Sequence, residues 1–126
     1  MPLTQIAMRK GKPESYRQAI LDSISTALND TFDVPQDNQF MTITEFDPAN
    51  FRISRTYLGI DRSEDLVMIQ ITANNTRSTQ QKKVLYQRIA DCLGVNPGVR
   101  AEDVFVNLVE VSKDNWSLGL GLAQYA

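Results

Sequence analysis

A chain of 126 residues, 42% hydrophobic and 22% charged, is long enough for one compact core and has the balance of an ordinary globular protein. A formal net charge of −2 offers no basic face for nucleic acid, and no apolar run approaches the ~18 residues of a membrane span. One cysteine, Cys92, and no histidine exclude an internal disulfide, Cys/His or Ser/His nucleophilic centres and an ordinary zinc site, and they fit a reducing, cytoplasmic location.

The chain opens Met1-Pro2-Leu3 with no charged region ahead of an apolar stretch, so no signal peptide is expected. Removal of Met1 would leave the secondary amine of Pro2 as the end group. An α-amino group titrates near pH 7.7–8.0, and desolvation or nearby cations lower that value. Pro2 is therefore the candidate proton acceptor near neutral pH in a chain that lacks histidine, whereas a retained Met1 would make its nitrogen an inert amide.

Residues 2–9 are rich in β-formers. Residues 14–31 place Tyr16, Ile20, Ile24, Ala27 and Leu28 at helical spacing, with Pro13 suited to the first turn, and residues 39–46 read as a second strand. Residues 47–65 form a connector with one short edge strand expected at Phe51–Ser54. A third strand, 66–73, leads to a helix over 79–93 with Leu85, Ile89, Cys92 and Leu93 on one stripe. Ser78 and Gln81 make a capping-box pattern before it, while Gly94 and Pro97-Gly98 are expected to stop it. Residues 103–111 read as the closing strand. The arm over 112–126, apolar and glycine-bearing around Trp116-Ser117-Leu118-Gly119, reads as a small hairpin or a docking arm.

Shifted by 65 residues, the chain aligns with itself without a gap. Gln5 and Ile6 meet Gln70 and Ile71, Ile24 meets Ile89, Leu28 meets Leu93, Val34 meets Val99, Phe40 meets Phe105 and Glu45 meets Glu110. Arg17 likewise falls on Lys82, and Lys12 on Arg77. One shared offset on apolar positions argues for a duplicated β-α-β unit, repeat one over 1–46 and repeat two over 66–111, within a single domain of 1–126. The fold class is α+β: two β-α-β units forming a four-stranded sheet, parallel within each repeat, with both helices on one face. Strand parity sets Ile6, Met8, Met41, Ile43, Val67, Ile69, Ile71, Val104, Val106 and Leu108 beneath the helices. The opposite face mixes Leu3, Gln5, Phe40, Thr42, Met68, Gln70, Phe105 and Asn107 and has no helix to cover it. It reads as a subunit interface, a solvated face being the alternative.

A duplicated unit carrying Met1-Pro2-Leu3, Val34-Pro35-Gln36, Tyr57-Leu58-Gly59-Ile60-Asp61-Arg62-Ser63, Arg77-Ser78, Trp116-Ser117-Leu118-Gly119 and Ala123-Gln124-Tyr125 in this order resembles the tautomerase superfamily. That superfamily is the one of 4-oxalocrotonate tautomerase and macrophage migration inhibitory factor; within it the chain looks most like the malonate semialdehyde decarboxylase group, from Met1 to about Tyr125. The resemblance implies a tautomerase fold, a homotrimer, a small oxo-acid substrate, no cofactor, and catalysis by the amino-terminal proline. Pro2 aligns with Val67, whose nitrogen is locked in a peptide bond, so only repeat one can supply that amine.

By the same resemblance Pro2 is the acid/base, Arg77 holds the substrate carboxylate and Asp37 is the nearby carboxylate, with Asn38, Asn75, Trp116 and Leu118 as substrate-binding positions. The decarboxylases carry an aspartate where Asn38 stands and arginines where Asn75 and Arg77 stand, so this chain departs from their pattern at two positions. The implied activity is tautomerisation of a small 2-oxo acid or enol. A cofactor-independent decarboxylase or hydratase of a 3-oxo acid such as malonate semialdehyde is the alternative, and a non-catalytic trimeric binding protein the third. On bland readings Asp37 is a turn or capping residue, Trp116 packs an interface and Arg77 is a solvated cation.

Overall fold

The computed structural model describes residues 2–126; Met1, whose presence decides the state of the Pro2 nitrogen, lies outside the described residues. The elements run β1 (Leu3–Arg9), α1 (Glu14–Phe32), β2 (Phe40–Phe46), β3 (Val67–Asn74), α2 (Thr79–Val95) and β4 (Val104–Val111), with short 3-10 turns between them. The strands form one sheet in the order β2-β1-β3-β4. β1 and β2 are parallel, β3 and β4 are parallel, and the two units join antiparallel through β1 and β3. Gln5 lies opposite Gln70 in that central pairing. Because these two residues are also equivalent under the 65-residue shift, they mark a pseudo-twofold axis through the sheet.

Both helices cover the face that parity assigns to them. Ile6, Met8, Val67, Ile69 and Ile71 are buried against Ile20, Ile24, Leu28, Leu85, Ile89 and Leu93, with Met41, Ile43, Val104, Val106 and Leu108 partly buried at the margins. The margins are the edge strands, where the two helices reach less far. Phe40, Gln5, Gln70, Phe105 and Asn107 are exposed on the opposite face.

The duplication extends to features that a shared hydrophobic pattern would not require. Each helix ends with a residue at positive φ, Asp33 (55°) after α1 and Gly98 (103°) beyond α2. In each case the next amide turns back on the helix, Val34 N–H to the Leu28 carbonyl (3.4 Å) and Val99 N–H to the Leu93 carbonyl (2.8 Å). Arg17 pairs with Glu45 (3.5 Å) as Lys82 pairs with Glu110 (2.6 Å). Surface pairs contribute only about 0–1 kcal/mol, so stability alone does not demand that both repeats keep one at the same place. Descent from one unit accounts for it.

Three local expectations differ from the structure. Residues 51–54 form no edge strand, since Phe51 turns inward, 5% exposed and stacked on Phe46 with centroids 6.0 Å apart. The arm forms no hairpin: it turns at Lys113–Asn115 and is held onto itself by Gln124, which accepts from Leu118 N–H (2.9 Å) and donates to the Gly119 carbonyl (2.8 Å). Gly94 lies inside α2, which ends only at Val95; the reversal falls to Gly98. Ser78 and Gln81 form the expected capping box, and Pro13 sits one position earlier than expected, as the N-cap of α1.

Candidate active site

Pro2 is buried at the head of β1, on the edge of the open sheet face. The adjoining pairs are Leu3 with Phe40 of β2 and Leu3 with Thr72 of β3. The segment that follows β4 returns across this end of the sheet, so that Asn115, Trp116, Ser117 and Leu118 join Pro2, Leu3 and Phe40 around a pocket of about 390 Å³. Its walls are chiefly apolar, and the amide of Leu118 is fixed by Gln124. A larger hollow, about 520 Å³, lies on the open face among Gln5, Thr44, Met68, Gln70 and Asn107 and does not contain Pro2.

Trp116 is positioned by a residue that the sequence alone did not single out. Its indole N–H donates to Asn74 Oδ1 at 2.7 Å, and Asn74, the last residue of β3, is buried. The β1–β3 register carries Asn74 to the end of β3 that lies beside the start of β1. Ser117, Asn115 and Phe40 are likewise new to the pocket. The available signal was the 65-residue shift itself, which pairs Asn74 with Arg9, a change of chemical kind, and Trp116 with Phe51, an aromatic without a ring N–H.

Arg77 follows β3 at the same end of the molecule. Its Nη2 donates to the carbonyl of Phe32 at 3.0 Å, and its guanidinium lies 4.5 Å from the centroid of the Phe32 ring. Phe32 ends α1, where unpaired carbonyls and the negative end of the helix dipole favour a cation. The last turn of α1 has no basic residue of its own, so Arg77 supplies that charge from repeat two. Among the described residues no carboxylate forms a salt bridge with Arg77.

The other expected site residues stand apart from the pocket lining. Asp37 and Asn38 are exposed on the turn Gln36–Asn38, whose backbone closes from Asn38 N–H to the Pro35 carbonyl at 3.0 Å. Asn75 is exposed, and its backbone N–H extends the β3–β4 pairing to Val111 at 2.9 Å. The structure thus gathers Pro2, Trp116 and Leu118 around one pocket and leaves Asp37, Asn38, Asn75 and Arg77 outside its lining. Among the described residues no group of three or more His, Cys, Asp or Glu gathers as metal ligands.

The pseudo-twofold counterpart of this site, at the opposite end of the sheet, is built differently. Val67 replaces Pro2 and is buried within the chain. Lys12, the counterpart of Arg77, pairs with Asp65 at 3.1 Å and lies 5.1 Å from the Tyr16 ring centroid. Burial pushes the Tyr16 phenol above its ordinary pKa, with Lys12 opposing the shift. Carboxylates of the connector pair with the basic groups at this end, Asp65 with Lys12 and Glu64 with Arg9 (3.5 Å), and the hollow equivalent to the Pro2 pocket, among Arg52, Ile53, Met68 and Phe105, is about 160 Å³.

Two family models, each described as a tautomerase enzyme, match residues 2–59 and 38–119. The chain belongs to the tautomerase family. It is 36% identical over 124 residues to the probable tautomerase YusQ of Bacillus subtilis (strain 168), covering 98% of each chain. Identity to the probable tautomerase YrdN of the same organism is 30%, over 99% of this chain and 96% of the relative. Among solved structures, a malonate semialdehyde decarboxylase described with decarboxylase and hydratase activities superposes with a TM-score of 0.91 at 29% identity, over 98% of this chain and 95% of that one. A fused 4-OT symmetric trimer shares the fold, with a TM-score of 0.80 at 17% identity over 98% and 97% of the two chains. Among the described residues no helix is long and apolar enough to cross a membrane.

Proposed function

We propose that the protein is a tautomerase of a small 2-oxo acid or its enol, working as a homotrimer with the amine of Pro2 as acid and base. The observation that carries this reading is the burial of Pro2 in a largely apolar pocket walled by Trp116 and Leu118. Such a wall lowers the local dielectric and disfavours the ammonium, which keeps an amine available to accept a proton near neutral pH. The neutral nitrogen takes the proton α to the carbonyl and returns it to another atom of the same conjugated system, so nothing is consumed. Arg77, at the same end of the molecule but outside the pocket lining, is the cation assigned to the substrate carboxylate: one Nη2 N–H is committed to Phe32, and the other Nη2 N–H with a neighbouring N–H of the fork is left to hold it. The uncovered sheet face, with its exposed Phe40 and Phe105, supports the trimeric part of the reading.

A decarboxylase or hydratase of a 3-oxo acid is the second reading, favoured by the likeness to malonate semialdehyde decarboxylase. It asks for a carboxylate near the amine to activate water, and Asp37 is exposed outside the pocket lining. Proton transfer within the substrate asks of the pocket only the base that lines it, with no carboxylate and no activated water, which is why it ranks first. Incubation of the purified protein with phenylenolpyruvate and, separately, with malonate semialdehyde tests the ranking. Ketonisation of the first is expected; decarboxylation of the second without ketonisation of the first would reverse it, and turnover of neither would leave a binding scaffold.

A further inference from the structure

Trp116, in the arm, needs a reason to stand upright at the pocket, because its counterpart under the 65-residue shift, Phe51 of the connector, does not. Phe51 has collapsed into the core against Phe46, whereas Trp116 stays half-buried and lines the cavity that holds Pro2. The difference lies in the partner at the end of the neighbouring strand. In repeat one that position is Arg9, engaged with Glu64; in repeat two it is Asn74, whose Oδ1 accepts the Trp116 indole N–H at 2.7 Å. Asn74 is itself 9% exposed, so its side chain is held in place and the bond is shielded from competing water.

We infer that Asn74 is a positioning residue for the proton transfer: it fixes Trp116 as the wall that keeps the Pro2 amine dry, and so sets the pH at which that amine becomes a base. The inference rests on the tautomerase reading for its catalytic part and on geometry alone for the Asn74–Trp116 hold. With the indole released, water reaches the pocket, the ammonium form of Pro2 regains hydration, and its pKa climbs toward the ordinary α-amine range of about 7.7–8.0. Activity that depends on the neutral amine then requires a higher pH.

Trp116 is the chain's single tryptophan, so its emission reports on this wall without interference. Asn74→Leu, of similar volume and without an acceptor, is expected to red-shift that emission. It is also expected to move the acidic limb of kcat/KM for phenylenolpyruvate ketonisation upward by about half to one pH unit. Asn74→Asp keeps an acceptor oxygen, so its emission stays close to the wild type while the added negative charge raises the acidic limb. Trp116→Phe, which keeps a ring but loses the N–H, is expected to raise the limb as Asn74→Leu does, and the double variant to add nothing further. Unchanged emission in Asn74→Leu, a red shift in Asn74→Asp, or an acidic limb that stays put in both Asn74→Leu and Trp116→Phe would overturn the inference. A control with serine placed ahead of Pro2 separates the two levels. If capping the amine leaves turnover intact, Pro2 is not the base and the catalytic part of the inference fails with it, and the emission results still decide whether Asn74 holds Trp116.

Discussion

Replacing Arg77 separates its two tasks, because the structure gives it a measurable load before any substrate arrives. The guanidinium donates to the Phe32 carbonyl at 3.0 Å and lies 4.5 Å from the Phe32 ring centroid. A hydrogen bond from a charged donor contributes about 1.5–3 kcal/mol, and a cation–π contact at a partly exposed site about 0.5–1 kcal/mol. Arg77→Ala should thus cost about 2–4 kcal/mol, and at roughly 3–6 °C per kcal/mol for a domain of this size the melting temperature should fall by roughly 6–24 °C. On catalysis, losing a bidentate anchor for a carboxylate should raise KM for phenylenolpyruvate by about 10–100-fold while kcat changes less, since the anchor is not the base. Arg77→Lys keeps the charge but offers a single point of contact, so it should recover only part of KM. Thermal melts and steady-state kinetics on the same preparations read both effects. A lower melting temperature with unaltered KM in Arg77→Ala would make Arg77 a strut for the end of α1 and refute its role as anchor.

Serine placed ahead of Pro2 should turn the amine into an amide and lower kcat/KM by about 10²–10⁴-fold, the usual contribution of a positioned base, with an unchanged melt; retained turnover would remove Pro2 from the chemistry. Asp103, fully buried, accepts from Ser63 N–H at 2.7 Å and Ser63 O–H at 2.6 Å, so Asp103→Ala should destabilise by about 3–5 kcal/mol in urea titration, and a cost below about 1 kcal/mol would mean that the connector is not held there. Burial pushes the Cys92 thiol up, with Arg88 opposing. The folded state therefore favours the protonated thiol, a contribution present below the unfolded thiol value of about 8.5 and lost as pH rises through the higher folded one. Alkylation near pH 8 should accordingly be slower in the native protein than in urea, and an equal or faster native rate would contradict the shift.

The duplicated β-α-β plan could be read from the chain because its signals are local and periodic. Helical spacing from Tyr16 to Leu28 and from Leu85 to Leu93, strand alternation, and the Ser78–Gln81 box each act within a few residues. The antiparallel joint between β1 and β3 depends on how two finished units meet, which no local window encodes. Phe51 misled for a related reason: a β-forming run looks the same whether its aromatic pairs in a sheet or plugs the core beside Phe46. At the site, Pro2, Trp116 and Leu118 were legible as a terminal amine and an apolar arm, and they do share a pocket. Asn74 was not, because a lone asparagine closing a strand has a short polar side chain of no evident use until Trp116, 42 residues on, folds back onto it.

Comparison of the two repeats sorts structural constraint from chemical purpose without any relative to align. Positions that stay alike under the 65-residue shift carry loads common to both units: Leu28 and Leu93 in the core and at the helix ends, Glu45 and Glu110 each with a cation on the facing helix. Among the positions that differ, Pro2 against Val67, Asn74 against Arg9 and Trp116 against Phe51 lie together at one end of the sheet. At the other end Phe51 is buried beside Phe46, Asp65 and Glu64 pair with Lys12 and Arg9, and the equivalent hollow, among Arg52, Ile53, Met68 and Phe105, has about 160 Å³ against about 390 Å³. On the proposed reading the amine of Pro2 can serve only one of the two hollows, and it lines the larger.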